Sequence, residues 1–280
     1  MSTAVGPGHD LRRYAVPVQP KPFRLVVGTR PTRHWLLPGP DGEQQVATKV
    51  RLLRERTADV LLVQPGAEPA VLALARLVMA ATGATTTPAG SAQAALAQAA
   101  LAVPEDLCLM QRDASGSWRL TAGCVCFPSH WRLADKVGDD LSGIHDPVPG
   151  YAERLAAATR QAFDRIADSD DVWERFNWIL TADSALFQPD APPPQPVTAA
   201  QVPQLLWLRT ERQTLRALPD DLGVVFGIRT FLTPLADLTE QERAALATSL
   251  TGVSSELARY RSALGYREAV QEWVRSRELV

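Results

Sequence analysis

The chain has 280 residues, 46% of them hydrophobic and 21% charged, with a formal net charge of -2. That length and composition allow a sizeable buried core, while the near-neutral balance lacks the basic footprint of a broad nucleic-acid binder. No apolar run reaches the roughly 20 residues needed to cross a bilayer, no signal-peptide core opens the chain, and three cysteines, an odd number, point to reduced thiols in a cytoplasm.

Residues 1–22 read as a loose arm. Phe23 to Gly28 is apolar enough for a strand or an anchoring segment. After the Asp41-Gly42 turn, Val46, Val50 and Leu53 recur at helical spacing, with Lys49, Arg51, Arg54 and Glu55 on the other face. Glu68 to Thr82 repeats the pattern through Val71, Leu74, Ala75 and Val78, and Gly83 stands where a C-cap belongs. Ala92 to Ala102 is Ala-rich and stops before Pro104. Residues 1–105 are therefore expected to be a mainly helical extension.

The pattern changes at Asp106. Leu107 to Gln111 and Trp118 to Ala122 flank Arg112-Asp113-Ala114-Ser115-Gly116-Ser117, a hairpin signal. The second strand can run on to Phe127, with Cys124 and Cys126 on one face as buried thiols. Ser129 suits the N-cap of a short helix over His130 to Val137, closed by Gly138. A further helix begins near Gly150 and keeps its spacing through Tyr151, Leu155, Ala158, Ala162 and Ile166. Val172 to Leu180 is an aromatic segment, and Pro189 to Pro203 is an extended surface loop. Leu205 to Thr214 and Val224 to Phe231 form a second hairpin across Pro219 to Gly223. Thr239-Glu240-Gln241-Glu242 is a capping-box pattern that opens the C-terminal helices.

His145 stands in Gly143-Ile144-His145-Asp146-Pro147-Val148-Pro149, where two prolines restrict the backbone around it. Such a histidine either faces a metal or decorates a rigid turn. No H-E-x-x-H, paired C-x-x-C, P-loop, G-x-S-x-G or G-x-G-x-x-G is present, which removes the common zinc, nucleotide and hydrolase motifs. On the second hairpin Arg209, Glu211 and Gln213 alternate with Thr210, Arg212 and Thr214, and on its second strand Arg229 is flanked by Ile228 and Thr230. These charges face solvent or line a polar pocket, and alternation alone favours the solvated face.

Several segments, in order, resemble the alpha subunit of haem-dependent oxidative N-demethylase. They are D-L-C-L-M (Asp106 to Met110), C-F-P-S-H-W-R-L-A-D-K-V-G (Cys126 to Gly138) and I-H-D-P-V-P-G-Y (Ile144 to Tyr151). L-R-T-E-R-Q-T-L-R-A-L-P (Leu208 to Pro219) and F-G-I-R-T-F-L-T-P-L (Phe226 to Leu235) complete the set. The resemblance implies an α+β fold: a PAS-like antiparallel sheet with flanking helices over 106–235, followed by C-terminal helices over 236–280, all in one haem-binding domain. It implies haem b with His145 as proximal ligand, and Trp131, Ile144 and Pro147 beside the cofactor. Arg229, then Arg212, would serve as the donor to bound dioxygen, and Glu211 as the acceptor for the amine. The implied reaction is oxidation of a small secondary amine such as dimethylamine, with release of an aldehyde. NADPH-derived electrons would come from a partner carrying FMN and [2Fe–2S], and a tetrahydrofolate-binding partner would collect formaldehyde. The alternatives are a haem-based gas or redox sensor and a related haem oxygenase acting on a different amine.

Overall fold

The computed structural model describes residues 11–22, 27–39, 41–84, 90–191, 195–251 and 265–277. In chain order the elements are α1 (Arg12–Ala15), β1 (Arg30–Thr32), α2 (Gly42–Glu55), α3 (Thr57–Val60), β2 (Leu61–Val63), α4 (Glu68–Thr82) and α5 (Ala92–Leu101). The first hairpin, β3 (Asp106–Arg112) and β4 (Trp118–Cys124), is followed by α6 (Leu141–His145), α7 (Tyr151–Arg154) and α8 (Ala156–Ala167). Then come β5 (Val172–Thr181), α9 (Val202–Leu205), β6 (Trp207–Ala217), β7 (Val224–Pro234), α10 (Glu240–Thr251) and α11 (Arg267–Arg277). The strands form one antiparallel sheet in the order β1-β5-β6-β7-β3-β4-β2, which makes the fold α+β with flanking helices.

Both hairpins follow the expected alternation and turn chemistry. The turn between β6 and β7 needs Gly223, whose φ is 132° and whose added Cβ would collide with the Met110 carbonyl. α4 buries Val71, Leu74, Ala75 and Val78 and ends on Gly83 at φ 72°, as its sequence predicts. Thr239 and Glu242 exchange the reciprocal capping-box bonds, at 2.8 and 3.2 Å, that open α10. Cys108, Cys124 and Cys126 are buried free thiols.

Sequence expectations give way to tertiary context at several places. β4 ends at Cys124 rather than Phe127, and the helix from Gly150 breaks at Leu155 into α7 and α8. The Pro189 to Pro203 loop turns helical from Ala199. The arm is not loose over its described part: Tyr14 is buried, and the Ala15 carbonyl accepts from Thr210 Oγ1 at 2.8 Å. Of Phe23 to Gly28, residues 23–26 lie outside the described residues, and the extension holds two short strands, β1 and β2, besides its helices. α2 exposes Val50 and buries Gln45, Lys49 and Leu52, because its polar side chains answer buried groups of the sheet. No helix spans His130 to Val137. Ser129 pairs with Gln188 in an isolated bridge, His130 takes a φ of 61°, and only Leu133–Asp135 forms a 3₁₀ turn. The hairpin charges are not solvated, since Arg209, Glu211, Arg212 and Arg229 are all buried.

The sheet is covered on both sides. One face presents Leu107, Leu109, Ala122 and Val225 to α4 and α5, and Arg212 and Arg229 to the segment before α2. The other presents Cys108, Met110, Leu120, Leu215, Trp173 and Phe226 to α6 and α8 through Leu141, Ile144, Phe163 and Ile166. Among the described residues no helix is long and apolar enough to cross a membrane.

Candidate functional site

Register decides which hairpin residues meet the His145 segment. Trp173, Arg175 and Asn177 of β5 stand opposite Leu215, Gln213 and Glu211 of β6, so all six share the face under α6 and α8. Arg175, Asn177 and Gln213 are only half-buried although β5 and β6 are interior strands. The helical layer therefore does not cover them completely.

His145 enters from that layer as the last residue of α6. Asp140 caps this helix by accepting from Ser142 N at 3.0 Å and Gly143 N at 2.9 Å. Its Nδ1 lies 2.7 Å from the Leu141 carbonyl, an acceptor only, so Nδ1 carries the proton and Nε2 keeps its lone pair. The Tyr151 ring stacks on the imidazole at 4.4 Å and 7°. Burial lowers the pKa of His145 against the opposing Leu141 bond, and the cations Arg175 and Lys136 lower it further. A neutral, oriented imidazole with a free Nε2 is a metal ligand in waiting. Among the described residues no group of three His, Cys, Asp or Glu side chains gathers to hold a metal ion.

The rest of this face is a polar network. Ser129 donates to Glu211 Oε1 at 2.6 Å, and Gln213 donates to Glu211 Oε2 at 2.8 Å. Arg209 in turn donates to Ser129 at 2.7 Å and to the carbonyls of Phe127, Pro128, Ala185 and Leu186. Glu211 is thus aimed by two donors while Arg209 ties the two loops behind it. His130 sits at the margin of this network, its pKa lowered by burial and by Arg209.

The remaining predicted residues disperse. Ile144 packs in the apolar layer around α6. Trp131 also borders that layer, and it lines a small pocket with Asp59, Pro128, Phe187 and Pro189, while Pro147 is exposed. Arg212 and Arg229 stand opposite each other on the far face of the sheet. Arg212 donates to Glu174 at 2.8 Å, to the Trp35 carbonyl at 3.1 Å and to the His34 carbonyl. Arg229 donates to Asp41 at 2.6 Å, to the Leu37 and Thr230 carbonyls at 3.1 Å and to Gln45. Both guanidinium groups hold the N-terminal segment to the sheet, and the sheet separates them from His145.

Sequence reasoning missed Arg175, Tyr151 and Ser129 as site residues. Arg175 was legible only as a lone cation in Val172 to Leu180, two positions from Trp173; the other two looked like helix positions. A family model described as haem-dependent oxidative N-demethylase, alpha subunit-like, matches residues 79–271.

Proposed function

Because the chain belongs to the haem-dependent oxidative N-demethylase, alpha subunit-like family, we propose that it holds haem b through His145 and N-demethylates a small secondary amine such as dimethylamine. The observation that carries this reading is the imidazole itself: Nδ1 tied to Leu141, Nε2 free, and the charged form disfavoured by burial. Antiparallel strands with α6 to α8 inserted between β4 and β5 support a PAS-like core over 106–235. The bonds from Arg229 to Leu37 and Asp41 support reading the extension and the core as one domain.

Bound haem supplies dioxygen activation and oxidation of the amine. The chain supplies the surroundings. Tyr151 fixes the plane of the His145 ring, and Ile144 keeps water from one side of it. Glu211 accepts the N–H groups of the protonated amine, held for that task by Ser129 and Gln213. Arg212 and Arg229 contribute by fixing the sheet, so an oxygen-side donor belongs on the His145 face. Electrons from NADPH reach the cytoplasmic chain from a partner bearing FMN and [2Fe–2S], and a folate-binding partner takes the formaldehyde.

The test is an absorption spectrum of purified protein supplied with haem. An intense Soret band is expected, and His145→Ala should lose or greatly alter it while keeping a wild-type circular dichroism spectrum. An unchanged band in that variant refutes the ligand assignment. Reductant, oxygen and a panel of secondary amines then report oxygen uptake and aldehyde release.

A further inference from the structure

Arg175 is a charge without a hydrogen-bonded counterpart. It projects from β5 toward α6 and α7, and its Nε is shut off from solvent. Among the described residues its side chain makes no hydrogen bond and no ion pair, in contrast to Arg209, Arg212 and Arg229. A guanidinium stays protonated, so its desolvation is offset by the charge of Glu211 without a hydrogen bond or close ion pair. Glu211 acts on Arg175 through its charge rather than a hydrogen bond, while its oxygens accept from Ser129 and Gln213.

Two more donors share the enclosure. Trp173 Nε1 is buried without an acceptor on the same face, two residues earlier in the strand. The Tyr151 hydroxyl is buried near Thr159 without a well-formed hydrogen bond, and it interacts electrostatically with Arg175. Arg165 of α8 adds a second cation, 5.8 Å from the centre of the Trp173 ring. Positions i and i+2 of a strand lie roughly 7 Å apart, so this edge is wider than one small anion and suits two carboxylates side by side.

We propose that Arg175 and the Trp173 indole N–H form a carboxylate-recognition edge on the sheet face under α6, receiving the paired carboxylates of the group whose metal His145 holds. The inference rests on the haem reading and adds to it the side of the site that fixes the in-plane orientation of the cofactor.

The experiment is a Soret titration of the whole apo protein with haem and, separately, with haem dimethyl ester, which lacks the carboxylate charges. Wild type should prefer the free acid by roughly tenfold or more, the range expected for hydrogen bonds to a charged group. Arg175→Gln should lose most of that preference while binding the ester like wild type, and Arg175→Lys should retain part of it. A thermal melt of apo Arg175→Met controls for folding: removing a half-buried cation that makes no hydrogen bond should leave the apo protein as stable as wild type or more so. The proposal is overturned if Arg175→Gln binds both forms as wild type does, or weakens both equally. It is also overturned if the variant keeps the preference and instead weakens azide binding to the ferric protein, since Arg175 would then face the metal. Wild type that takes up both forms equally overturns this inference alone, whereas wild type that takes up neither overturns the haem reading with it.

Discussion

Replacing Arg229 with alanine separates an anchoring role from a chemical one. Arg229 is fully buried, and four groups depend on it: Asp41, Gln45 and the carbonyls of Leu37 and Thr230. Its guanidinium also lies 4.7 Å from the centre of the Phe231 ring. Breaking a buried pair by removing one partner costs about 3–5 kcal/mol. The Asp41 side chain is 41% exposed and can rehydrate, which argues for the lower half of that range. The Leu37 carbonyl and Gln45 Oε1 lose donors in an enclosed place, at about 1 kcal/mol each. A total near 5 kcal/mol corresponds to a fall in Tm of roughly 10 °C for a chain of this size. Thermal and urea unfolding followed by circular dichroism measure the loss, and Arg229→Lys should recover part of it by restoring the charge without the planar fork. Haem uptake by folded Arg229→Ala at low temperature should match wild type. Wild-type stability together with lost amine turnover would refute the anchoring argument and place Arg229 in the chemistry.

Two further predictions concern charge. Lys49 lies 3.4 Å from Asp106 with both side chains fully buried, and it donates to the carbonyls of Ala100, Val103 and Glu105. Lys49→Met alone strands the carboxylate and should cost about 3–5 kcal/mol, whereas Lys49→Met with Asp106→Leu should cost clearly less than the two single changes added. Simple additivity in denaturant melts would show that the pair is not coupled. Glu242 is held down to about 2, from 4.5, first by the Arg12 side chain and then by the Thr239 bonds. A depressed carboxyl stabilises above its unfolded pKa and stops doing so as pH falls through the folded one. The stability gap between wild type and Glu242→Gln should therefore be constant above about pH 5 and close between 4.5 and about 2. Solvent screening keeps that gap on the order of 1 kcal/mol, and a gap that widens on acidification would contradict the Arg12–Glu242 account.

Features with local causes were legible in the chain itself. Gly83 ends α4 because only glycine takes its left-handed conformation without cost, and the Thr239–Glu242 box needs four consecutive residues and nothing else. The two hairpins follow from alternation and turn residues. His145 stands out through the prolines around it and through the motif it shares with a family, although its place at the end of a capped helix was not evident. The strands β1 and β2 had no comparable signal, since three residues pairing at a sheet edge leave almost no pattern.

The larger errors share one cause. Val46, Val50 and Leu53 gave α2 an apolar stripe, yet the helix buries Gln45 and Lys49, because Arg229, Thr230 and Asp106 await them there. Period-two alternation likewise grouped Arg209, Glu211 and Gln213 apart from Arg212, but it could not say that helices would cover both groups. By itself the sequence determined the two hairpins, the longer helices and the histidine to watch. Only the tertiary structure decided that Arg212 and Arg229 anchor one face while Arg175 and Glu211 join His145 on the other. Which residues share a face is set by backbone geometry two positions apart, whereas what covers that face is set by contacts beyond the reach of local pattern, 192 residues apart for Arg229 and Leu37.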